Sequence, residues 1–222
     1  MLLFSTNDLS GFKVQGRDES IGKISGFLFH PKTWMLEYLT VSRGIWPINK
    51  ELYLPIEVLG TPDNLHEIIH VDLNHEDVEK LQSDVHKSIQ MRKYSEHPIN
   101  YWRIGKYPKA IPWLDPFAIS AVFRQHKKNE VTNLERTNNA NTLSYSDDVK
   151  GYRVDAKDTE MGNVKDLVID ADHWVIRYVV VEGFDETIML PTSWVNNINS
   201  GAETLNLNLN KQMVLESPYV LG

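Results

Sequence analysis

The chain contains an internal duplication, and this constrains its fold more than any other feature of the sequence. The stretch Leu9 to Val41 aligns without a gap on Val149 to Val181, at a constant offset of 140 residues. Self-similarity of this kind predicts two copies of one structural unit. The identical pairs are Gly11/Gly151, Val14/Val154, Asp18/Asp158, Gly22/Gly162, Trp34/Trp174, Tyr38/Tyr178 and Val41/Val181.

The remainder of each copy matches at a slightly different offset. After a loop of unequal length, Leu54-Pro55 corresponds to Leu190-Pro191, and the alternating run at 69–74 corresponds to 205–210. Strict alternation of apolar and polar residues is typical of a half-buried strand. The sequence therefore divides into a first unit at 1–85, a connector at 86–148 and a second unit at 149–222.

Formal charge is unevenly distributed over these three parts. Residues 1–85 carry a net charge of −6 and residues 149–222 a net charge of −5, whereas residues 86–148 carry +4. A basic connector between two acidic units either folds back onto them or remains a solvated linker, and the charges fit both arrangements. The acidic units themselves argue against a nucleic-acid surface on either unit.

Composition bounds the cellular setting. The chain has no cysteine, which excludes disulfides, thiolate metal sites and thiol nucleophiles. Its first residues lack the basic start and apolar core of a signal peptide, and no stretch has the roughly 18 to 20 apolar residues of a membrane span. We expect a soluble cytoplasmic protein.

The duplicated pattern predicts a mainly β fold. Each copy has short alternating runs, polar turns and a glycine within a strand, Gly22 or Gly162, which usually marks a bulge or a tight corner. No long crossover helix is evident. We expect two small antiparallel, SH3-like β-barrels in tandem, each around its own core and joined by a partly irregular or helical connector.

The strand that follows each repeated tryptophan allows a prediction about its two faces. Side chains alternate along a strand, so the Trp34, Leu36 and Tyr38 side is expected to face the core. Glu37, and Arg177 in the second copy, mark the opposite side as the outer one. That outer side is otherwise apolar, so we expect the other unit, the connector or a partner to cover it. Its apolar members are Met35, Leu39, Val41, Val175, Val179 and Val181.

The motifs at 151–181 resemble the PRC-barrel family. They read Gly-Tyr-Arg-Val-Asp-Ala-Lys-Asp, Met-Gly-Asn-Val-Lys-Asp-Leu-Val-Ile-Asp and His-Trp-Val-Ile-Arg-Tyr-Val-Val-Val. The family includes the cytoplasmic domain of the photosynthetic reaction-centre H subunit and the C-terminal domain of RimM. This chain is most similar to bacterial tandem members, in which an aromatic pair, here Tyr101-Trp102, lies in the connector. The usual turn glycine is absent at 17–19 and at 157–159.

The resemblance implies a six-stranded barrel, related to SH3-like barrels, that docks protein or RNA partners. It implies no catalytic residues, and the sequence shows no catalytic constellation of its own. Two groups have ligand chemistry, His66, His70 and His75, and Asp170, Asp172 and His173. Their spacings and their replacement in the sister copy favour ordinary surface and turn residues. We therefore predict no enzyme, no metal and no cofactor.

Three functions follow as hypotheses. The first is a non-enzymatic adaptor that docks a protein partner, and a homodimer is compatible with it. The second is RNA or ribosome association through the connector, where basic residues alternate with aromatic ones. The third is small-ligand binding or catalysis in a cleft between the units. The residues predicted to bind a partner are Val175, Val179, Val181, Met35, Leu39, Tyr101, Trp102 and Arg103.

Overall fold

The computed structural model describes residues 1–45, 48–82, 85, 143–183 and 187–216, and these form two β-sheets. The first seven strands are β1 (Leu3–Ser5), β2 (Lys13–Gln15), β3 (Ser20–Phe29), β4 (Leu36–Ile45), β5 (Ile48–Pro55), β6 (Ile68–His70) and β7 (Ser144–Tyr145). The other six are β8 (Arg153–Asp155), β9 (Glu160–Asp170), β10 (Val175–Glu182), β11 (Thr187–Pro191), β12 (Val195–Asn199) and β13 (Thr204–Leu207). Helical segments lie at Thr6–Leu9, 75–82, Ser146–Val149 and Lys211–Leu215, with 3-10 turns at Ile56–Val58 and Thr192–Trp194.

The two sheets share one strand order, and the second sheet has one strand more, β12. The first has the order β5-β4-β3-β2-β6 and the second the order β11-β10-β9-β8-β13-β12. Their ladders are antiparallel except for β2–β6 and β8–β13, which are parallel. In the second sheet the 3-10 turn at Thr192–Trp194 leads directly from one edge strand, β11, into the other, β12. The mainly β, two-unit prediction is thus confirmed, although the sheets are not hydrogen-bonded into closed barrels within the described residues.

The repeated glycine lies at a tight corner, as the sequence predicts. Gly162 has a φ of 128°, and a β-carbon there would lie 2.1 Å from the carbonyl oxygen of Glu182. At Gly22, a β-carbon would lie 2.4 Å from the carbonyl oxygen of Ser42. Real β-carbons do not approach backbone oxygens so closely, so each copy needs glycine where β3 or β9 passes its neighbour.

Trp34, Leu36 and Tyr38 are buried, as the sequence predicts. The assignment of the opposite side to the outer face is wrong, because each tryptophan strand contains a β-bulge. Leu28 pairs with Tyr38 and Phe29 with Leu36, so Glu37 is an extra residue in the ladder. Arg177 is skipped in the same way in β10. A bulge resets the alternation of side chains. The residues beyond it therefore point into the core, and each has no exposed surface: Leu39, Val41, Val179 and Val181.

The units exchange their first strands. β1 precedes the first unit in sequence but pairs with β9 of the second sheet, with Phe4 opposite Ile169. In return β7 pairs with β3 of the first sheet, with Tyr145 opposite Leu28. We call β1 and β7, each with the helical turn that follows, the two arms. Because β1 and β7 occupy equivalent positions in the duplication, the exchange is reciprocal.

The two tryptophan turns meet where the units join. Met35 bridges Val175, its own equivalent in the second copy. The backbone N–H of Leu36 donates to the carbonyl oxygen of Trp174 at 2.9 Å, and the N–H of Ile176 donates to that of Trp34 at 2.9 Å. Equivalent residues thus contact each other across an approximate two-fold axis.

The expectation of two separate cores is wrong. Buried residues of both sheets form one continuous apolar cluster. Phe4 is a link between them, because it sits opposite Ile169 in the second sheet while its ring lies 6.4 Å from that of Phe12 in the first unit. Units of this size bury only about 60 to 65% of their unfolded surface on their own. Sharing apolar surface gives both a larger core.

Candidate partner-binding groove between the two units

An open groove of about 460 Å³ lies at the junction. One wall comes from the 3-10 turn after β5 and the residues that follow it. The other wall is the turn between β9 and β10. We call this space the junction groove. The lining residues are Ile56, Glu57, Leu59, Gly60 and Thr61 on the first wall, and Ala171, Asp172, His173 and Trp174 on the second.

Local structure explains how each wall presents its side chains. In the 3-10 turn Ile56 is buried while Glu57, the next residue, reaches the surface. On the other wall, Trp174 adopts a left-handed backbone conformation with a φ of 50°. Such a conformation is unusual outside glycine, Asn and Asp and ends the turn abruptly. The partly buried Trp174 lines the groove beside the two polar residues that precede it, and it also packs against the core.

A buried carboxylate supports the second wall. Asp170 is 1% exposed and accepts hydrogen bonds from His173 Nδ1 at 3.0 Å, from Arg177 Nη2 at 3.2 Å and from the backbone N–H of Asp172 at 3.1 Å. Burial alone would raise the pKa of Asp170, but these donors outweigh it and hold the pKa below its ordinary value. The ionised Asp170 thereby fixes the shape of the turn.

The first arm is fastened to the same turn. Asp172 Oδ2 lies 3.1 Å from the N-terminal ammonium group and accepts the N–H of Leu2 at 3.0 Å. The N–H of Ala171 donates to the carbonyl oxygen of Leu2 at 2.8 Å. The second wall is therefore held by contacts between both halves of the chain.

Glu57 is the electrostatically unusual residue of the groove. Partial burial of its carboxyl group raises its pKa to about 7, and the negative charge of Glu37 adds to this, although a hydrogen bond from its own backbone N–H opposes it. Among the residues described, no cation forms an ion pair with Glu57. Perturbed carboxyl groups in clefts mark candidate functional sites.

The acidic residues of the groove are not repeated at the equivalent positions, which lie on the opposite side of the approximate two-fold axis. On the opposite side, Ser193 takes the place of Glu57, Lys32 that of Asp172 and Thr33 that of His173. The backbone framework is thus duplicated while the charges are not. An acidic surface next to apolar groove residues and Trp174 suits a side chain with an apolar stem and a cationic head.

The residues predicted to bind a partner differ in their exposure. Leu39, Val179 and Val181 are enclosed in the core and form no exposed surface. Met35 is 54% exposed and lies at the seam, opposite the half-buried Val175. For these two, a role in partner binding stays a prediction. Tyr101, Trp102 and Arg103 lie outside the described residues.

Sequence patterns point only weakly to the groove. Glu57 belongs to no motif. The one sequence feature that sets it apart is that the equivalent position in the second copy holds an unlike residue, Ser193. The turn cluster at 170–173 has metal-ligand chemistry, whereas the structure uses it to support the turn and to anchor the first arm. This use of buried and backbone donors follows from tertiary contacts that sequence spacing does not reveal.

The other candidate ligands include two that are engaged in surface ion pairs. His66 Nδ1 lies 2.7 Å from Asp63 Oδ2, and His75 Nδ1 lies 2.9 Å from Glu19 Oε1. In the part of the chain that the structure describes, no group of three or more His, Asp or Glu side chains is arranged to hold a metal ion. No helix within that part is long and apolar enough to cross a membrane.

Comparison with known proteins agrees with the duplicated fold. A search among curated proteins gives no significant match. The family model of the PRC-barrel domain matches residues 1–78 and again residues 141–213. Each match contains one arm and the sheet strands that follow it in sequence. The chain therefore belongs to the PRC-barrel family and carries the domain twice in tandem.

Proposed function

We propose that this chain is a non-enzymatic interaction protein that docks an arginine-bearing segment of a protein partner in the junction groove. One observation carries the proposal: the carboxyl group of Glu57 lies in an open groove that also contains an indole, without a cationic partner among the residues described. The proposal places the protein in the cytoplasm, in keeping with a chain that has no cysteine.

Arginine fits the groove better than a fully apolar anchor does. Its alkyl stem can lie along the half-buried Leu59, which leaves the charged head beside Glu57. A guanidinium group also stacks on aromatic faces, which Trp174 offers, and it keeps its charge at every physiological pH. A docked guanidinium would stabilise the ionised form of Glu57 and lower its pKa again.

RNA association is the weaker interpretation of the described surface. Phosphate groups are repelled by the acidic groove, and nucleic-acid binding depends on basic side chains. The basic aromatic connector on which that hypothesis rests lies outside the described residues, so RNA binding stays a prediction. The same holds for small-ligand binding in the groove.

Fluorescence anisotropy with a labelled peptide rich in arginine and leucine tests the proposal. We expect saturable binding to the full chain, and at least about tenfold weaker binding to Glu57→Lys, which corresponds to about 1.4 kcal/mol. Affinity should rise with pH through about 7 as Glu57 ionises. The matched control is Glu203→Lys, which makes the same change of charge at an exposed acid away from the groove walls.

Three outcomes would overturn the proposal. The first is equal affinity of the parent chain and Glu57→Lys for the peptide. The second is an equal loss of affinity in the Glu203→Lys control, which would indicate non-specific attraction to net charge. The third is tight, salt-sensitive binding of a single-stranded RNA probe together with no peptide binding, which would favour the connector hypothesis.

A further inference from the structure

We infer that the two arm-binding sites are not interchangeable, so that the first unit recognises the second unit and rejects a copy of itself. Each arm site thus fits the arm of the other unit, whether that unit belongs to the same chain or to a second copy of it. The inference is independent of the groove and rests on how unlike side chains fill two equivalent sites.

The site on the first unit is shaped for tyrosine. Tyr145 lies over Gly26, and a β-carbon at Gly26 would come within 2.6 Å of the tyrosine hydroxyl oxygen and 2.7 Å of its ring. The hydroxyl donates to the carbonyl oxygen of Ser25 at 3.1 Å and lies 3.2 Å from Thr40 Oγ1. The next arm residue, Ser146, accepts the N–H of Phe27 at 3.1 Å. The bare backbone at Gly26 therefore lets the ring lie directly against the strand.

The site on the second unit is shaped for hydroxyl groups. Asp166 stands where the first unit has Gly26, and it is 6% exposed. Its carboxylate accepts hydrogen bonds from the hydroxyls of Ser5 and Thr6, and from the N–H of Leu167 at 2.8 Å. The ammonium group of Lys150 is 3.9 Å away. A buried carboxylate of this kind is stable only when donors surround it.

Exchanging the arms would break both arrangements. Tyr145 is the equivalent of Ser5, so a second-unit sheet that received the second arm would place a phenol ring against Asp166. Asp166 would also lose one of its two hydroxyl donors. A first-unit sheet that received the first arm would have a void above Gly26, where the tyrosine ring had been. Binding between two copies of the same unit is thus disfavoured at both arm sites. A clash with the tyrosine ring opposes it in the second unit, and a cavity above Gly26 opposes it in the first.

The test uses the full chain with a site-specific protease sequence inserted between residues 86 and 142. After cleavage of the folded protein, native mass spectrometry should show a one-to-one complex of the unlike halves and no homodimer of either. Gly26→Asp should weaken that complex at least about tenfold on dilution, because the carboxylate meets the tyrosine ring. Tyr145→Ser alone should also weaken it.

The double variant Gly26→Asp with Tyr145→Ser is the decisive one. It reproduces the two hydroxyl contacts of Asp166 in the first unit, because the shortened side chain at position 145 and the native Ser146 then supply the donors. Ser10 stands where the second unit has Lys150, so the cation of that arrangement is not reproduced. The double variant should return the affinity to within about threefold of the parent. If the single variants fail to fold, recovery of a soluble complex by the double variant supports the inference equally.

The mirror pair gives an independent check. Ser5→Tyr should weaken the complex, and adding Asp166→Gly should restore it. Separation of the halves on cleavage, formation of homodimers, or additive losses in both double variants would overturn the inference.

Discussion

The first and second units are built on the same repeated residues and differ where they meet. Repeated residues form equivalent contacts in both units. Asp18 accepts the N–H of His75 at 3.1 Å and Asp158 that of Lys211 at 2.8 Å, and each caps the helical segment that follows the last strand of its unit. Four unmatched pairs contribute to the junction: Gly26/Asp166, Tyr145/Ser5, His30/Asp170 and Glu57/Ser193.

This difference separates two kinds of information in the sequence. Matched positions specify a unit, because a corner or a cap must be made in each copy. Unmatched positions specify how two such units fit together and what the joined surface presents. An approximate two-fold arrangement of this kind allows one face to change charge while the framework stays the same. The acidic groove is one such difference between the two copies.

The largest effect should separate two residues on either side of the bulge at Glu37, Met35 before it and Leu39 after it. Leu39→Ala removes a side chain with no exposed surface, and we expect a loss of about 2 to 5 kcal/mol in the free energy of unfolding. Met35→Ala, at a residue 54% exposed, should change it by less than about 0.5 kcal/mol. Urea denaturation followed by tryptophan fluorescence measures both. Equal costs would mean that the bulge at Glu37 does not redirect the strand.

A second change tests whether the repeated corner is essential. Gly162→Ala puts a β-carbon 2.1 Å from the Glu182 carbonyl oxygen, at a φ that L-residues rarely adopt, so it should cost about 2 to 3 kcal/mol. Gly201→Ala is the control, because its nearest neighbour to a new β-carbon is 3.6 Å away. A harmless Gly162→Ala would contradict the account of the corner.

A third change sharpens the contrast between Asp170 and His30. Asp170→Asn removes the charge that His173 and Arg177 stabilise, so we expect a loss of about 1.5 to 3 kcal/mol at neutral pH. Because the folded pKa of Asp170 is lowered, this contribution is present above the unfolded pKa of about 3.9 and disappears as the pH falls below it.

Denaturation curves at pH 7 and pH 3 measure that difference. The variant and the parent chain should converge in stability at the lower pH. His30→Asn, the matched change in the first unit, should have the smaller effect at pH 7. A gap between Asp170→Asn and the parent that persists unchanged at pH 3 would show that the charge is not its cause.

The smallest effect concerns Glu57. Its folded pKa of about 7 lies above the ordinary value of 4.5, so the folded state holds the proton more tightly and loses stability as the pH rises from 4.5 to 7. Glu57→Gln removes this dependence, and the variant should melt at a slightly higher temperature than the parent at pH 8 and at the same temperature at pH 4. Parallel melting profiles across this range would contradict the raised pKa.

Much of each unit could be predicted from the sequence, because local patterns specify it. The strands, the glycine corners and the two-fold duplication all follow from alternation and self-similarity. The bulges could not be predicted, since one extra residue at Glu37 or Arg177 leaves the apolar pattern intact while it turns Leu39 and Val179 inward. The exchanged arms could not be predicted either, because only a tertiary contact shows that Phe4 serves the opposite sheet.

The measurement that tests the reciprocal exchange most directly is an engineered cross-link. Ser5 and Val168 are directly opposite each other in the β1–β9 ladder, within the distance at which a disulfide forms, and the chain has no other cysteine. The variant Ser5→Cys with Val168→Cys should form an intramolecular disulfide in high yield, and Ser5→Cys with Leu28→Cys should not. Non-reducing peptide mapping distinguishes the two. A disulfide between positions 5 and 28, and none between 5 and 168, would show that each arm stays with its own unit and would contradict the exchange.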